Sequence, residues 1–158
     1  MKFNAQNGQP VWPWGIALLR IVVGIVFVMH GQQKLFEMGV GGVGGFFASL
    51  GVPAPQLAAV VVSLLETAGG VALILGVLTR LFGLLLTGDM LVAMLLVHRP
   101  NGFFAGNGGV ELVLLLGTAA LALALTGPGA LALDNLKLLP FERRFQERER
   151  ADLMPSRG

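Results

Sequence analysis

The sequence contains no cysteine and no tyrosine. Without cysteine the chain forms no disulfide, no thiolate metal site, no iron–sulfur cluster and no cysteine-based electron relay. This excludes the four-helix membrane enzymes that pass electrons between paired cysteines. Without tyrosine there is no phenol to relay a proton or a radical. A redox role would therefore depend on a bound molecule or on a partner protein.

Charged residues are also scarce. Only 13% of the 158 residues are charged and 54% are hydrophobic, whereas a soluble domain carries about 25% charged residues. Eleven of the 20 charged residues lie within 134–158, which leaves residues 1–133 with too few to solvate a globular surface. The composition excludes a soluble enzyme and a disordered protein. It also argues against a nucleic-acid binder, because the basic residues cluster in one tail beside apolar segments.

Long apolar runs make up most of the remaining sequence. A membrane-spanning helix needs about 20 apolar residues, with a range near 17–25, and these runs lack the alternation typical of strands. The sequence therefore predicts an all-α integral membrane four-helix bundle with Gly-rich outer loops and a charged cytoplasmic tail. The predicted spans are 16–36, 57–78, 81–98 and 111–126, and the last is short unless it continues towards Leu133.

The basic residues predict the orientation in the membrane. Six of them lie in the C-terminal tail, and Arg80 lies between the second and third spans. The positive-inside rule places these segments in the cytoplasm. The predicted organisation is a cytoplasmic N-terminal segment 1–15, a membrane domain 16–133 and a cytoplasmic tail 134–158.

Two glycine-rich connections, 37–56 and 99–110, lie on the predicted outer side. Irregular backbone does not lie exposed in hydrocarbon, because its polar groups would have no partners. Residues 46–50 favour a short interfacial helix within the first connection. Two interpretations stay open, namely simple connecting loops or a lid over a pocket that opens to the outer leaflet. The second is reasonable because long loops in small domains are often functional.

Three ionisable residues, Arg20, Glu66 and Asp89, lie at membrane depth. Charges at this depth face the bundle interior and have partners, and helical periodicity places each of these on a face with small residues. We expect Arg20 to pair with Asp89 or Glu66. The remaining carboxyl, for which Glu66 is the better candidate, is then expected to carry a proton and to donate a hydrogen bond to a ligand. The alternative is a purely structural pair that fixes helix register.

Other polar side chains are expected at the edges of the membrane. Lys34 lies about 21 Å along the helix from Arg20 and is expected to extend to the outer surface.

The two histidines raise a haem hypothesis, in which both ligands face one cavity at matched depth. By helical periodicity His30 lies off the Arg20 stripe, and His98 points away from Asp89 if the helix is continuous. We therefore expect no haem and no metal site.

The chain resembles the DoxX family in motifs that follow the family's order across residues 16–136. The motifs are Leu18-Leu19-Arg20, His30-Gly31, Lys34-Leu35-Phe36, Leu50-Gly51-Val52-Pro53, Glu66-Thr67-Ala68-Gly69-Gly70, Gly76-Val77-Leu78-Thr79-Arg80, Asp89-Met90-Leu91-Val92-Ala93, His98-Arg99-Pro100-Asn101-Gly102-Phe103 and Asn107-Gly108-Gly109-Val110-Glu111. The resemblance implies a four-helix bundle in a prokaryotic inner membrane. It implies function less directly, since some relatives look like subunits of thiosulfate:quinone oxidoreductase and others are linked with oxidative-stress complexes.

Three functional hypotheses follow. The first is a redox-associated subunit that binds quinone or a similar lipophilic molecule within the bundle and receives electrons from a redox partner. Its candidate site residues are Arg20, Glu66, Asp89, Phe27, Phe82 and His30. The second is a non-catalytic scaffold or assembly factor that docks a partner through its tail, and the third is an oligomeric small-molecule permease. All three place the chain in the lipid bilayer, none involves nucleic acid, and none fixes the oligomeric state.

Overall fold

The computed structural model describes residues 11–136, and most of that range is helical. The α-helices are α1 Trp12–Gln32, α2 Gly39–Ser49, α3 Pro55–Leu75, α4 Thr79–Ala93 and α5 Glu111–Thr126. No strand occurs within the described range, and the predicted all-α membrane bundle is confirmed. The predictions for residues 1–10 and for the charged tail beyond residue 136 lie outside the described residues.

Three helical segments are long and apolar enough to cross a membrane: Trp12–Glu37, Pro55–Leu75 and Thr79–Asn101. The first and third include π-helical turns, Gln33–Glu37 and Met94–His98, that continue α1 and α4. These segments match the first three predicted spans within a few residues.

The fourth apolar helix, α5, is shorter than the other three. Its 16 residues rise about 24 Å, compared with about 30 Å for the hydrocarbon core of a bilayer. The helix ends at Thr126 because Gly127 leaves the helical region, with φ 88° and ψ −167°, and a proline follows. The fourth span therefore does not continue as helix to Leu133.

Small residues allow the helices to approach closely. A Cβ atom added to Gly24 on α1 would lie 2.7 Å from the carbonyl oxygen of Gly70 on α3. One added to Gly83 on α4 would lie 2.8 Å from the carbonyl oxygen of Ala120 on α5. Close backbone contact of this kind is typical of helix packing in membranes. Gly24 and Gly70 thus lie on inward faces, in agreement with the prediction that Arg20 and Glu66 share their helix faces with small residues.

The bundle has two different ends. The termini end contains the start of α1, the α3–α4 turn and the end of α5. The α2 end contains α2 and the loop 99–110. Between them lies a buried apolar core that includes Phe27, Leu73, Leu86 and Leu123.

Arg20 belongs to the termini end and forms neither of the predicted ion pairs. Its side chain has no exposed surface, and it donates hydrogen bonds to the carbonyl oxygens of Pro128 (2.6 Å) and Leu131 (2.9 Å). Side chains of a helix tilt towards its own N-terminus. The Arg20 side chain therefore extends towards the termini end and away from Glu66 and Asp89. The predicted pairing of Arg20 is wrong for this reason.

Asp134 also closes the termini end by capping α4. Its carboxylate accepts hydrogen bonds from the backbone N–H groups of Leu78 (2.8 Å) and Thr79 (3.0 Å) and from the Thr79 hydroxyl (3.0 Å). A negative charge at a helix N-terminus interacts favourably with the helix dipole and satisfies free N–H groups. The first residue of the predicted tail is thus packed against the bundle.

Candidate functional site: a cavity at the α2 end

A cavity of about 270 Å³ lies between the helices at the α2 end. All five α-helices contribute to its wall. The polar lining residues are His30, Lys34, Glu66, Asp89 and His98; the apolar ones include Phe27, Val43, Phe46, Phe47, Leu50, Ala58, Val62, Met90, Ala93, Leu96, Val113 and Leu116. A concave, mainly apolar space with a few convergent polar groups is the usual form of a small-molecule site.

Lys34 and Glu66 form an ion pair on the cavity wall. The Lys34 Nζ atom lies 2.6 Å from Glu66 Oε2. The Glu66 side chain is only 3% exposed and that of Lys34 is 22% exposed. Because charges interact more strongly where water is excluded, this pair holds α3 against the π-helical turn that follows α1.

The direction of helical side chains explains why Lys34 does not reach the outer surface. Lys34 follows α1, so its side chain tilts back towards the middle of the bundle. Glu66 lies on α3, which runs antiparallel to α1, so its side chain tilts towards the α2 end. The two groups converge from opposite directions, and the prediction that Lys34 extends outwards is wrong.

Asp89 on α4 is the second carboxyl at this cavity wall. Within residues 11–136 it forms no ion pair, whereas Glu66 is paired with Lys34. Asp89 lines the same cavity and lies close enough to Glu66 and Lys34 to interact with both. Within that same range its Oδ2 atom is buried and receives no hydrogen bond from an N–H or hydroxyl group, while the Glu66 carboxyl is close enough to share a proton with Asp89. Such atoms are rare in folded proteins and costly to leave unsatisfied. The predicted roles of the two acids are therefore exchanged, since Glu66 holds the fixed pair and Asp89 is left open.

Both histidines line the cavity. For His98 this differs from the predicted direction, which pointed away from Asp89. His98 lies in the π-helical turn Met94–His98, where the extra residue per turn changes the direction of the following side chains. Extrapolating a regular α-helix from Asp89 to His98 therefore gives the wrong face. The direction of His98 therefore no longer argues against haem, and the absence of haem stays a prediction.

Two of the sequence candidates lie outside the cavity. Arg20 lies at the termini end, and Phe82 packs against the apolar core. The other four, Phe27, His30, Glu66 and Asp89, all line the cavity. The structure adds Lys34 and His98, together with the apolar face of α2, to the set that the sequence predicts.

Helix α2 covers the cavity. It begins at Gly39, seven residues before the predicted short helix, and packs against α3. Its lining residues, Val43, Phe46, Phe47 and Leu50, follow a spacing of three and four residues. That pattern is typical of one helical face and could have revealed the helix in the sequence. Of the two open interpretations of this connection, the geometry favours the lid.

The cavity has an exposed apolar rim. Six apolar lining residues are also well exposed: Met38 (50%) before α2, Phe46 (41%) on α2, Leu50 (37%) directly after it, Val92 (55%) and Leu96 (44%) along α4 and its continuation, and Leu112 (40%) at the start of α5. Exposed apolar side chains of this kind are typical of a surface that contacts lipid.

These features define a small helical membrane protein with a ligand-sized cavity that has an exposed apolar rim. The chain belongs to the DoxX family, whose family model matches residues 15–99.

Similar proteins come from several bacteria. An uncharacterized protein of Haemophilus influenzae is 37% identical over 132 residues, which cover 82% of this chain and 95% of that protein. A Bacillus subtilis protein named "Putative oxidoreductase CatD" is 38% identical over 76% of this chain and 84% of its own length. The Escherichia coli "Inner membrane protein YphA" is 31% identical over 76% of this chain and 88% of its own length. No solved structure matches the chain.

Proposed function

We propose that this protein binds a lipophilic molecule of the quinone class in the cavity at the α2 end, as the membrane subunit of a redox system. The observation that carries the proposal is the buried Oδ2 atom of Asp89, which receives no hydrogen bond from an N–H or hydroxyl group and belongs to the wall of a mainly apolar cavity. A quinone supplies the complementary features, namely an apolar ring and polar oxygen atoms at its edge.

The size and position of the cavity support this class of ligand. A cavity of about 150 Å³ in another protein holds benzene, so about 270 Å³ accommodates a substituted or larger ring. An isoprenoid tail attached to that ring would leave past the exposed apolar side chains at the rim of the cavity and lie in lipid. A water-soluble ligand would gain nothing from this route.

The polar residues of the cavity have different roles in binding. Lys34 is held by Glu66 at one end of the cavity and presents further N–H donors. Asp89 lines the same cavity, and its Oδ2 atom receives no hydrogen bond from an N–H or hydroxyl group. A bound quinone accepts two electrons and two protons on reduction. Asp89, as the carboxyl not matched by a cation, is the group placed to exchange these protons one at a time at Oδ2, regaining a proton from solvent between the two transfers, which is a common role of intramembrane carboxyls.

Electrons would come from a partner protein, since the chain has no cysteine or tyrosine. The name of the Bacillus subtilis relative, which includes the word oxidoreductase, supports a redox setting. The non-catalytic scaffold is the competing function, and it predicts that the cavity binds no quinone.

We place the α2 end on the outer side of the membrane and both termini in the cytoplasm. Cysteines introduced singly at the exposed positions Gly106 and Asn135 test this orientation, because the chain has no native cysteine. In intact cells a membrane-impermeant maleimide should label Gly106→Cys and not Asn135→Cys. The reverse pattern would overturn the orientation and would place the cavity in the inner leaflet.

Replacing Asp89 tests the ligand site itself. Asp89→Leu should lower the affinity for a decyl-substituted benzoquinone about 5- to 150-fold, because it removes a buried polar contact worth about 1–3 kcal/mol. The fold should persist, since Asp89 leaves no paired charge behind and Lys34 still neutralises Glu66. Asp89→Asn, which keeps a polar group of the same shape, is the matched control and should lose less. Equilibrium dialysis with protein in lipid nanodiscs measures both. Equal affinities of wild type and Asp89→Leu would remove Asp89 from the site.

A further inference from the structure

His98 is fixed in one orientation at the cavity wall. Its Nδ1 atom lies 2.7 Å from the carbonyl oxygen of Gly108. The same carbonyl oxygen accepts a hydrogen bond from Asn101 Nδ2 at 3.3 Å, and the Gly108 N–H group donates to Ala105 at 2.9 Å. The loop 99–110 therefore holds the imidazole ring through a well-connected backbone group.

This contact also determines the tautomer of the ring. A carbonyl oxygen can only accept a hydrogen bond, so the hydrogen lies on Nδ1 of His98. In the neutral imidazole the other nitrogen, Nε2, then has a lone pair and acts only as an acceptor. Because His98 lines the cavity, its neutral ring offers an acceptor there, whereas Lys34 offers donors.

The two oxidation states of a quinone-class ligand differ in whether their oxygen atoms can donate a hydrogen bond to such an acceptor. A quinone oxygen is a carbonyl and can only accept, so it has no favourable contact with an acceptor such as Nε2. A hydroquinone oxygen is a hydroxyl, which both donates and accepts. Lys34 does not distinguish the two states, because an ammonium group donates to either oxygen. A protonated Asp89 does not distinguish them strongly either, because it donates to a quinone oxygen and accepts from a hydroquinone hydroxyl. Only an ionised Asp89 would add to the selectivity of His98, and the His98 variants separate the two contributions.

We propose that His98 makes the cavity selective for the reduced, dihydroxy form of its aromatic ligand by accepting a hydrogen bond from a ligand hydroxyl at Nε2. This inference rests on the proposed function and adds the preferred state of the ligand and the residue that selects it. The site would therefore hold the hydroquinone as its resting ligand.

The first test compares three forms of one probe. The decyl-substituted benzoquinone, its hydroquinone and the hydroquinone dimethyl ether are bound under anaerobic conditions to the wild-type protein in nanodiscs, and affinity is measured by equilibrium dialysis. We expect the hydroquinone to bind about tenfold more tightly than the quinone, because a desolvated acceptor without a donor is unfavourable. The dimethyl ether, which cannot donate, should bind no better than the quinone.

Two variants of His98 separate its contacts. His98→Asn keeps a donor near the Nδ1 position for Gly108 but has no acceptor at the Nε2 position. His98→Gln places an amide oxygen near the Nε2 position. The Asn variant should reduce the preference for hydroquinone to less than about threefold while it still binds the quinone, and the Gln variant should retain much of the preference.

The possible outcomes distinguish this inference from the proposed function. Equal or tighter binding of the quinone by the wild type would overturn the role of His98 and leave the proposed function standing. An unchanged preference in His98→Asn would also overturn that role. Failure of all three probes to bind the wild type would overturn the inference together with the proposed function.

Discussion

Replacing Lys34 with methionine is expected to lower the free energy of unfolding by about 3–5 kcal/mol, the cost of removing one partner from a buried ion pair. Glu66, only 3% exposed, would be left as an uncompensated charge beside a second carboxyl, that of Asp89. The double variant Lys34→Met/Glu66→Gln should recover most of this loss, because neither charge then remains buried alone. Lys34→Arg preserves the positive charge and serves as the control.

Reversible unfolding of the protein in mixed micelles measures these differences, and the double-mutant cycle isolates the coupling between Lys34 and Glu66. The result also separates the observed ion pair from the one that the sequence predicts. If Arg20 were the partner of Glu66, Lys34→Met would change stability by less than about 1 kcal/mol, as is usual for a surface charge. A change that small would contradict the position of Lys34 described here.

Filling the cavity is expected to abolish ligand binding without unfolding the protein. Ala58 on α3 lines the cavity beneath α2, whereas Ala68 on the same helix is exposed outside it. Ala58→Trp should weaken binding of the decyl benzoquinone at least 100-fold, because the indole occupies the space of the ligand ring. Ala68→Trp adds the same side chain to the same helix on a lipid-facing surface and should bind as the wild type does. Equal binding by the two variants would place the ligand elsewhere.

The fold could be predicted from the sequence because its signals are local. Apolar runs long enough to span a bilayer and the scarcity of charge define the membrane helices. Small residues such as Gly24 and Gly70 mark the contact between α1 and α3. The spacing of Val43, Phe46, Phe47 and Leu50 would also have predicted α2, but the glycines between them obscured it.

The partners of the buried charges could not be predicted in the same way. Helical periodicity gives the face on which Arg20, Lys34 and Glu66 lie, but it says nothing of how far a long side chain tilts along the helix axis. The tilt towards the N-terminus of each helix separates Arg20 from Glu66 and brings Lys34 to it. Lys34 and Glu66 lie on antiparallel segments, and their side chains therefore meet although their backbone positions lie at different depths in the bundle.

Two further features depend on departures from regular helix or on distant contacts. The π-helical turn at Met94–His98 changes the direction of His98, and π turns have no simple sequence signal. Asp134 caps α4 although it lies 55 residues from Thr79 in the chain. Such a contact depends on the closure of the whole bundle. The charged sequence around Asp134 alone does not predict this contact.

The central claim is that the cavity holds a quinone-class molecule, and mass spectrometry of the lipid extract of the purified protein tests it most directly. The wild-type protein and Ala68→Trp are predicted to retain about one quinone or hydroquinone molecule per chain after purification, well above its share of the bulk lipid. Ala58→Trp is predicted to retain none above that share. A wild-type extract in which quinones appear only at their bulk proportion, indistinguishable from that of Ala58→Trp, would contradict the account.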